Sequence, residues 1–157
     1  MNQCNWVVRA RRLSFKDWLL LLEAMRFLVQ ACIVIRIVPF KYTAAWLNKH
    51  SIPKKEESNA DVIDLITKRI SWAIEAVSRR GLQNSTCLMR AIAGYWMLKR
   101  RYILGVISFG VYKNADGELL AHAWLEYDNH IITGKNGYEV YTLIERFGRG
   151  RSFEFRT

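Results

Sequence analysis

Only three cysteines occur in the chain, Cys4, Cys32 and Cys87, and no two of them lie close together. An odd, widely spaced set excludes a disulfide framework and fits thiols kept reduced in a cytoplasm. No CxxC or HExxH is present, and His50, His122 and His130 show no paired-ligand spacing, so no metal is expected. A phosphate-cradling GxxxxGK[ST] run is missing too, which leaves no nucleotide or other cofactor to expect. Long apolar runs are short of what a membrane asks: the longest uncharged stretch, Phe27 to Ile35, falls well below the roughly 20 residues that cross a bilayer. The apolar part also starts late and no small-residue cleavage site follows it, unlike a secretory signal. Prolines number two, Pro39 and Pro53, so helices between them can run unbroken.

Acidic residues are scarce as well. Lys and Arg total 24 against 14 Asp and Glu, a net charge of +10. Ten basic and four acidic residues precede residue 59, so the excess leans toward the N-terminal part, where Arg9, Arg11, Arg12 and Lys16 form the densest cluster. Such a surface favours an anionic partner. No helix-turn-helix, RNA-recognition or zinc-finger pattern accompanies the charge, so nucleic acid is not the expected partner. An acidic protein or peptide segment, or anionic lipid at a membrane surface, needs no such motif.

The apolar spacing predicts helices first and strands after. Ser14 caps a helix from Phe15 toward Val38, ended by Pro39, and a short second helix covers Tyr42 to Lys49. The polar stretch Ser51 to Asn59 is the best internal boundary. It separates a basic, apolar helical lead-in, residues 1–58, from a core, residues 59–157, the two forming one compact unit. Val62, Ile63, Ile66, Ile70, Ala73, Ile74 and Val77 follow the 3.6-residue period, predicting a helix over Ala60 to Arg80 stopped by Gly81. A further helix runs from Thr86 to about Lys99. Strands are then expected over Tyr102 to Tyr112, through Ala121 to Tyr127, and from His130 to Thr133, with turns at Asn114 to Gly117 and at Asp128-Asn129. Helices followed by an antiparallel sheet make the fold class α+β.

Within that frame Cys87 and His122 stand out. Asn84-Ser85-Thr86 supplies capping residues, which puts Cys87 at a helix N-terminus, where unsatisfied N–H groups and the positive end of the helix dipole favour a thiolate. His122 sits on a strand in Ala121-His122-Ala123-Trp124-Leu125-Glu126. A helix-start thiolate facing a strand histidine is a nucleophile and its base, suited to acyl transfer at an amide. Trp124 reads as core or a cleft wall, and Glu126 shares a strand face with Trp124 and His122. Cys4 and Cys32 read as incidental or structural.

Thr86-Cys87-Leu88-x-Arg90-Ala91, Met97-Leu98-x-Arg100-Arg101, Gly105-Val106 or Gly110-Val111, and Ala121-His122-Ala123-Trp124-x-Glu126 follow one another in an order that resembles the transglutaminase-like B2 proteins of lasso peptide biosynthesis. The likeness covers residues 69–143 and implies a transglutaminase- or papain-like core, with a catalytic helix packed on a small antiparallel sheet. It implies a leader peptidase that cuts a ribosomally made precursor peptide, with a small leader-binding protein and a lasso cyclase as partners, any need for ATP belonging to the cyclase. It places the protein in a bacterial cytoplasm, with room for membrane association. The resemblance also implies a third residue that orients the histidine, twelve positions after it, and here that position is Gly134. With no side chain to offer, Gly134 leaves Asn136 or Asp128 to take the role, or a Cys–His dyad to work alone. Strand pairing of Tyr127 with His130 and Glu126 with Ile131 is expected to bring Gly134 opposite Ala123 and Lys135 opposite His122. A scaffold that binds leader and cyclase without cutting, and a transferase that passes the acyl group to an amine, are the other readings of the same residues.

Overall fold

A computed structural model describes residues 13–39, 42, 60–80, 85–128 and 130–148. In chain order it contains helices α1 (Phe15–Ile37), α2 (Ala60–Arg80) and α3 (Cys87–Lys99) and strands β1 (Val106–Lys113), β2 (Leu119–Tyr127), β3 (His130–Thr133) and β4 (Thr142–Phe147), with a 3-10 turn at Tyr138–Val140 before β4. The strands form one antiparallel sheet in the order β3-β2-β1-β4. The architecture is α+β, as the periodicity predicts. The expected boundary at residues 58 and 59, and the expected helix Tyr42 to Lys49 apart from Tyr42 itself, lie outside the described residues.

α3 is the centre of the packing. Met89, Ala91, Ile92, Ala93, Tyr95, Met97 and Leu98 are all buried, so it lacks the polar stripe of a surface helix. α1 and α2 cover one side of it and the sheet the other. α1 contributes Leu20, Ala24, Phe27, Leu28 and Ala31; α2 contributes Ile70, Ala73, Ile74 and Val77; the sheet contributes Ile107, Leu125, Ile132 and Phe147. Gly94 sets how closely α3 approaches β2: a Cβ there would stand 2.6 Å from Leu125 Cδ2 and 3.1 Å from Ile74 Cδ1. Besides a longer contact of Arg100 with Glu23 at 3.5 Å, two close ion pairs tie α1 to its neighbours. Arg69 of α2 meets Asp17 at 2.6 Å, and Arg101 donates through both terminal nitrogens to the Glu23 carboxylate at 3.1 and 2.7 Å. The second is a bidentate fork, the stronger geometry for such pairs.

Capping chemistry fixes the helix starts. The Ser14 N–H donates to Asp17 Oδ2 at 3.0 Å, and Thr86 Oγ1 accepts from the Met89 N–H at 3.3 Å. α1 differs from its sequence reading in one respect. Its 23 residues are long and apolar enough to cross a membrane by length and composition, with 28% of the apolar window buried in the fold. Counting only the uncharged run overlooked this, because Glu23 and Arg26 interrupt the run without offsetting the apolar residues on either side of them.

Three strand details also differ. β1 starts at Val106 rather than Tyr102, since Tyr102 takes a left-handed turn conformation with φ of 57°. β4 has no counterpart in the sequence reading: five of its six side chains are exposed, and its burial shows no alternation. A register shift between Leu125 and Glu126 pairs Leu125 with Thr133, so Ile132 is the extra residue of a bulge and the expected register holds only at Tyr127–His130 and Glu126–Ile131.

Candidate active site

Cys87 is the first residue of α3, directly after the Thr86 cap. Helix geometry leaves the N–H groups of this first turn without partners inside the helix, and they point along the axis beyond Cys87. Its thiol is free and half-buried. Cys87, Ala91, Gly94 and Leu98 recur at helical spacing along one stripe. Gly94 on that stripe abuts Leu125 of β2 and Thr133 of β3, so Cys87 extends the sheet-facing side of α3 toward its N-terminus.

His122 lies on β2, paired with Gly110 of β1. Its Nε2 sits 2.8 Å from the carbonyl oxygen of Gly134. A carbonyl oxygen only accepts, so Nε2 carries the hydrogen and donates it, which in the neutral ring puts the lone pair on Nδ1. The expectation that Gly134 could not orient the imidazole is therefore corrected: its backbone does so without a side chain. The β3 bulge and the left-handed conformation of Gly134, φ of 79°, bring that carbonyl to the ring. A Cβ on residue 134 would stand 2.8 Å from the Ala123 carbonyl oxygen and 3.0 Å from Trp124 Cβ, so the approach requires glycine. Asp128 and Asn136 are both exposed turn residues, and among the described residues neither hydrogen-bonds His122. Asp128 has φ of 46°, the left-handed hairpin conformation that Asp tolerates.

An aromatic wall completes the imidazole's surroundings. The Tyr141 ring lies 5.0 Å from His122 and the Trp124 ring 6.1 Å away in a stacked orientation, with Tyr138 packed 5.9 Å from Trp124. Sequence reasoning identified Trp124 as core or wall but missed both tyrosines, which come from the 3-10 turn and the residue after it. Glu126, two positions beyond Trp124, is a polar hub. It accepts from the fully buried Ser108 hydroxyl at 2.9 Å and pairs with Arg146 Nε at 3.2 Å, joining β1, β2 and β4.

β-strand alternation determines which face each side chain takes. Leu125 lies under α3, so His122, Trp124 and Glu126 occupy the opposite face, with Ser108, Tyr138 and Tyr141. Among the described residues no hydrogen bond joins Cys87 to His122. β3 ends at Thr133, opposite Leu125, so β2 from Trp124 back to Leu119 pairs with a strand only on its β1 side. A groove of about 670 Å³ between α1 and α3, with Phe27, Ile92 and Trp96 among its lining, includes neither residue. Among the described residues no group of three or more His, Cys, Asp or Glu side chains is placed to hold a metal ion.

The profile of the transglutaminase-like superfamily matches residues 34–146, more than two thirds of the chain, from the last turn of α1 through nearly all of β4. No curated protein and no solved structure matches the chain. With a match over most of its length and an α+β fold of three helices and a small four-stranded antiparallel sheet, the chain belongs to the transglutaminase-like superfamily, a fold used by many cysteine peptidases and transferases.

Proposed function

We propose that the protein is a cysteine peptidase in which Cys87 is the nucleophile and His122 the base. The observation that supports this most is the 2.8 Å hydrogen bond from His122 Nε2 to the Gly134 carbonyl, because it leaves Nδ1 free to accept the thiol proton. The Cys87 thiolate attacks a peptide carbonyl carbon, and the oxyanion is received by N–H groups at the start of α3. The tetrahedral adduct collapses with the C–N bond broken, and the proton held on Nδ1 passes to the leaving amine. Water then gives a proton to Nδ1 and attacks the thioester, which releases the acyl part as a carboxylate and restores the thiol. Cys87 and His122 pair transiently around the open edge of β2 in the free enzyme, and the pairing tightens in the complex, as catalytic hydrogen bonds commonly do.

The substrate we infer is a ribosomally made lasso precursor peptide cut at the end of its leader, on the resemblance carried by Cys87-Leu88-x-Arg90-Ala91 and His122-Ala123-Trp124-x-Glu126. A small leader-binding protein and a lasso cyclase act beside it in the cytoplasm. The test is to incubate the protein with a lasso precursor peptide and a small leader-binding protein and to weigh the products. A leader-length fragment ending in a free carboxylate, lost in Cys87→Ala, is the expected result, whereas an amine adduct of the leader makes the enzyme a transferase. The lack of a hydrogen bond between Cys87 and His122 favours a second reading, a scaffold that binds the leader without cutting. An uncut precursor that co-purifies equally with wild type and Cys87→Ala would establish that reading.

A further inference from the structure

α1 has two apolar faces but only one is used in the core. Phe15, Trp18, Leu19, Leu22, Met25, Val29, Ile33 and Ile37 are all exposed, and Trp18, Leu22, Met25, Val29 and Ile33 recur at helical spacing as a stripe opposite the packed residues Leu20, Ala24, Phe27, Leu28 and Ala31. A stripe of this length on one helix exceeds the scattered apolar residues normal for a protein surface.

The charges around the stripe are of one sign. Both carboxylates of α1, Asp17 and Glu23, turn to the packed side, where they meet Arg69 and Arg101. The exposed side carries Arg26 and Arg36. Arg26 also borders the groove between α1 and α3 together with Lys99 and Arg100, so a cationic rim runs beside the apolar stripe. In sequence, Arg9, Arg11 and Arg12 precede the helix. An apolar helix face edged by cations and, among the described residues of α1, free of exposed carboxylates is complementary to an anionic lipid surface, with acyl chains meeting the stripe and headgroups the cations.

We propose that the exposed face of α1 docks the folded protein on an anionic membrane surface, with α1 lying in the plane of the interface. α1 does not leave the fold to do so: spanning would strip Leu20, Ala24, Phe27, Leu28 and Ala31 from α2 and α3 and break the Glu23–Arg101 fork. Docking on lipid is independent of the peptidase reading, since neither Cys87 nor His122 lies on this face.

The experiment is co-sedimentation of the full chain with vesicles of phosphatidylcholine containing one part in four phosphatidylglycerol, and with phosphatidylcholine alone. Wild type is compared with the double variant Leu22→Glu/Ile33→Glu, whose positions are exposed and outside the core. The expected result is binding to the anionic vesicles at least tenfold tighter than to the neutral ones, weakened by salt, and at least tenfold weaker in the double variant while its circular dichroism is unchanged. Absence of binding to anionic vesicles, or equal binding by the double variant, overturns the proposal. Two other outcomes overturn it as well: resistance to alkaline extraction, which means that α1 spans the bilayer, and a wild-type dimer in solution abolished by the double variant, which means that the face receives a second copy.

Discussion

A backbone carbonyl at Gly134 takes the position where a side-chain acid or amide would orient the imidazole. It fixes the tautomer as such a side chain does, yet as a neutral dipole it stabilises an imidazolium less than a carboxylate would. The arrangement depends on glycine, because residue 134 has φ of 79° and no room for a Cβ against the Ala123 carbonyl. Gly134→Ala is accordingly expected to cost about 1–3 kcal/mol, read as a lower urea midpoint, and to slow any reaction that needs His122 as base. An unchanged midpoint would mean that the backbone relaxes freely there. Glu126→Ala should cost a similar 1–3 kcal/mol, since it removes the acceptor of a fully buried Ser108 hydroxyl and the partner of Arg146. Glu126→Gln keeps an acceptor oxygen and should cost less, and equal losses in the two variants would contradict the assignment of the Ser108 bond. The places of Cys87 at a helix start and His122 on a strand were legible in the sequence from capping and apolar pattern. The orienting group was not, because a carbonyl has no sequence signature and its placement hangs on a one-residue bulge.

Among the elements, α3 carries the packing, and Gly94 decides how near it lies to the sheet. Helix propensity alone would favour replacing Gly94, but a larger side chain there meets Leu125 and Ile74 first. Gly94→Val should therefore destabilise by about 1–3 kcal/mol, measured by chemical denaturation, and a more stable variant would show that the interface yields. The α1 attachment can be probed at Glu23, whose carboxylate receives both terminal nitrogens of Arg101. Helix positions were readable closely, that of α2 among them, because the 3.6-residue period and apolar spacing agree there. β4 was not, since all but Phe147 of its side chains are exposed and its place in the sheet comes from pairing with β1 rather than from its own pattern.

For the whole molecule, the order of helices before strands was enough to give the α+β class, whereas the strand order β3-β2-β1-β4 rests on long-range pairing that a single sequence does not display. Two-sided α1 was half legible: its apolar character was plain, its division into a packed and an exposed face was not. Tyr95 offers a global probe, because burial in the core raises its phenol above the ordinary value of 10.0. The neutral form is thus favoured in the folded state, so this contribution to stability is complete below the unfolded value of about 10 and is lost as pH rises through the folded one. Thermal unfolding followed from pH 8 upward should show the wild type losing stability above about pH 10 more steeply than Tyr95→Phe. Parallel curves would place the phenol in water.

The central claim is that Cys87 and His122 act as nucleophile and base, and the most direct measurement is the rate at which iodoacetamide alkylates Cys87 at neutral pH, resolved from Cys32 by peptide mass spectrometry. Cys32 is also free and half-buried, which makes it an internal reference. The account predicts that Cys87 reacts at least about tenfold faster than Cys32 and loses that advantage in His122→Ala, because a paired imidazole raises the thiolate fraction. Reaction at Cys87 no faster than at Cys32, or equally fast without His122, would contradict it.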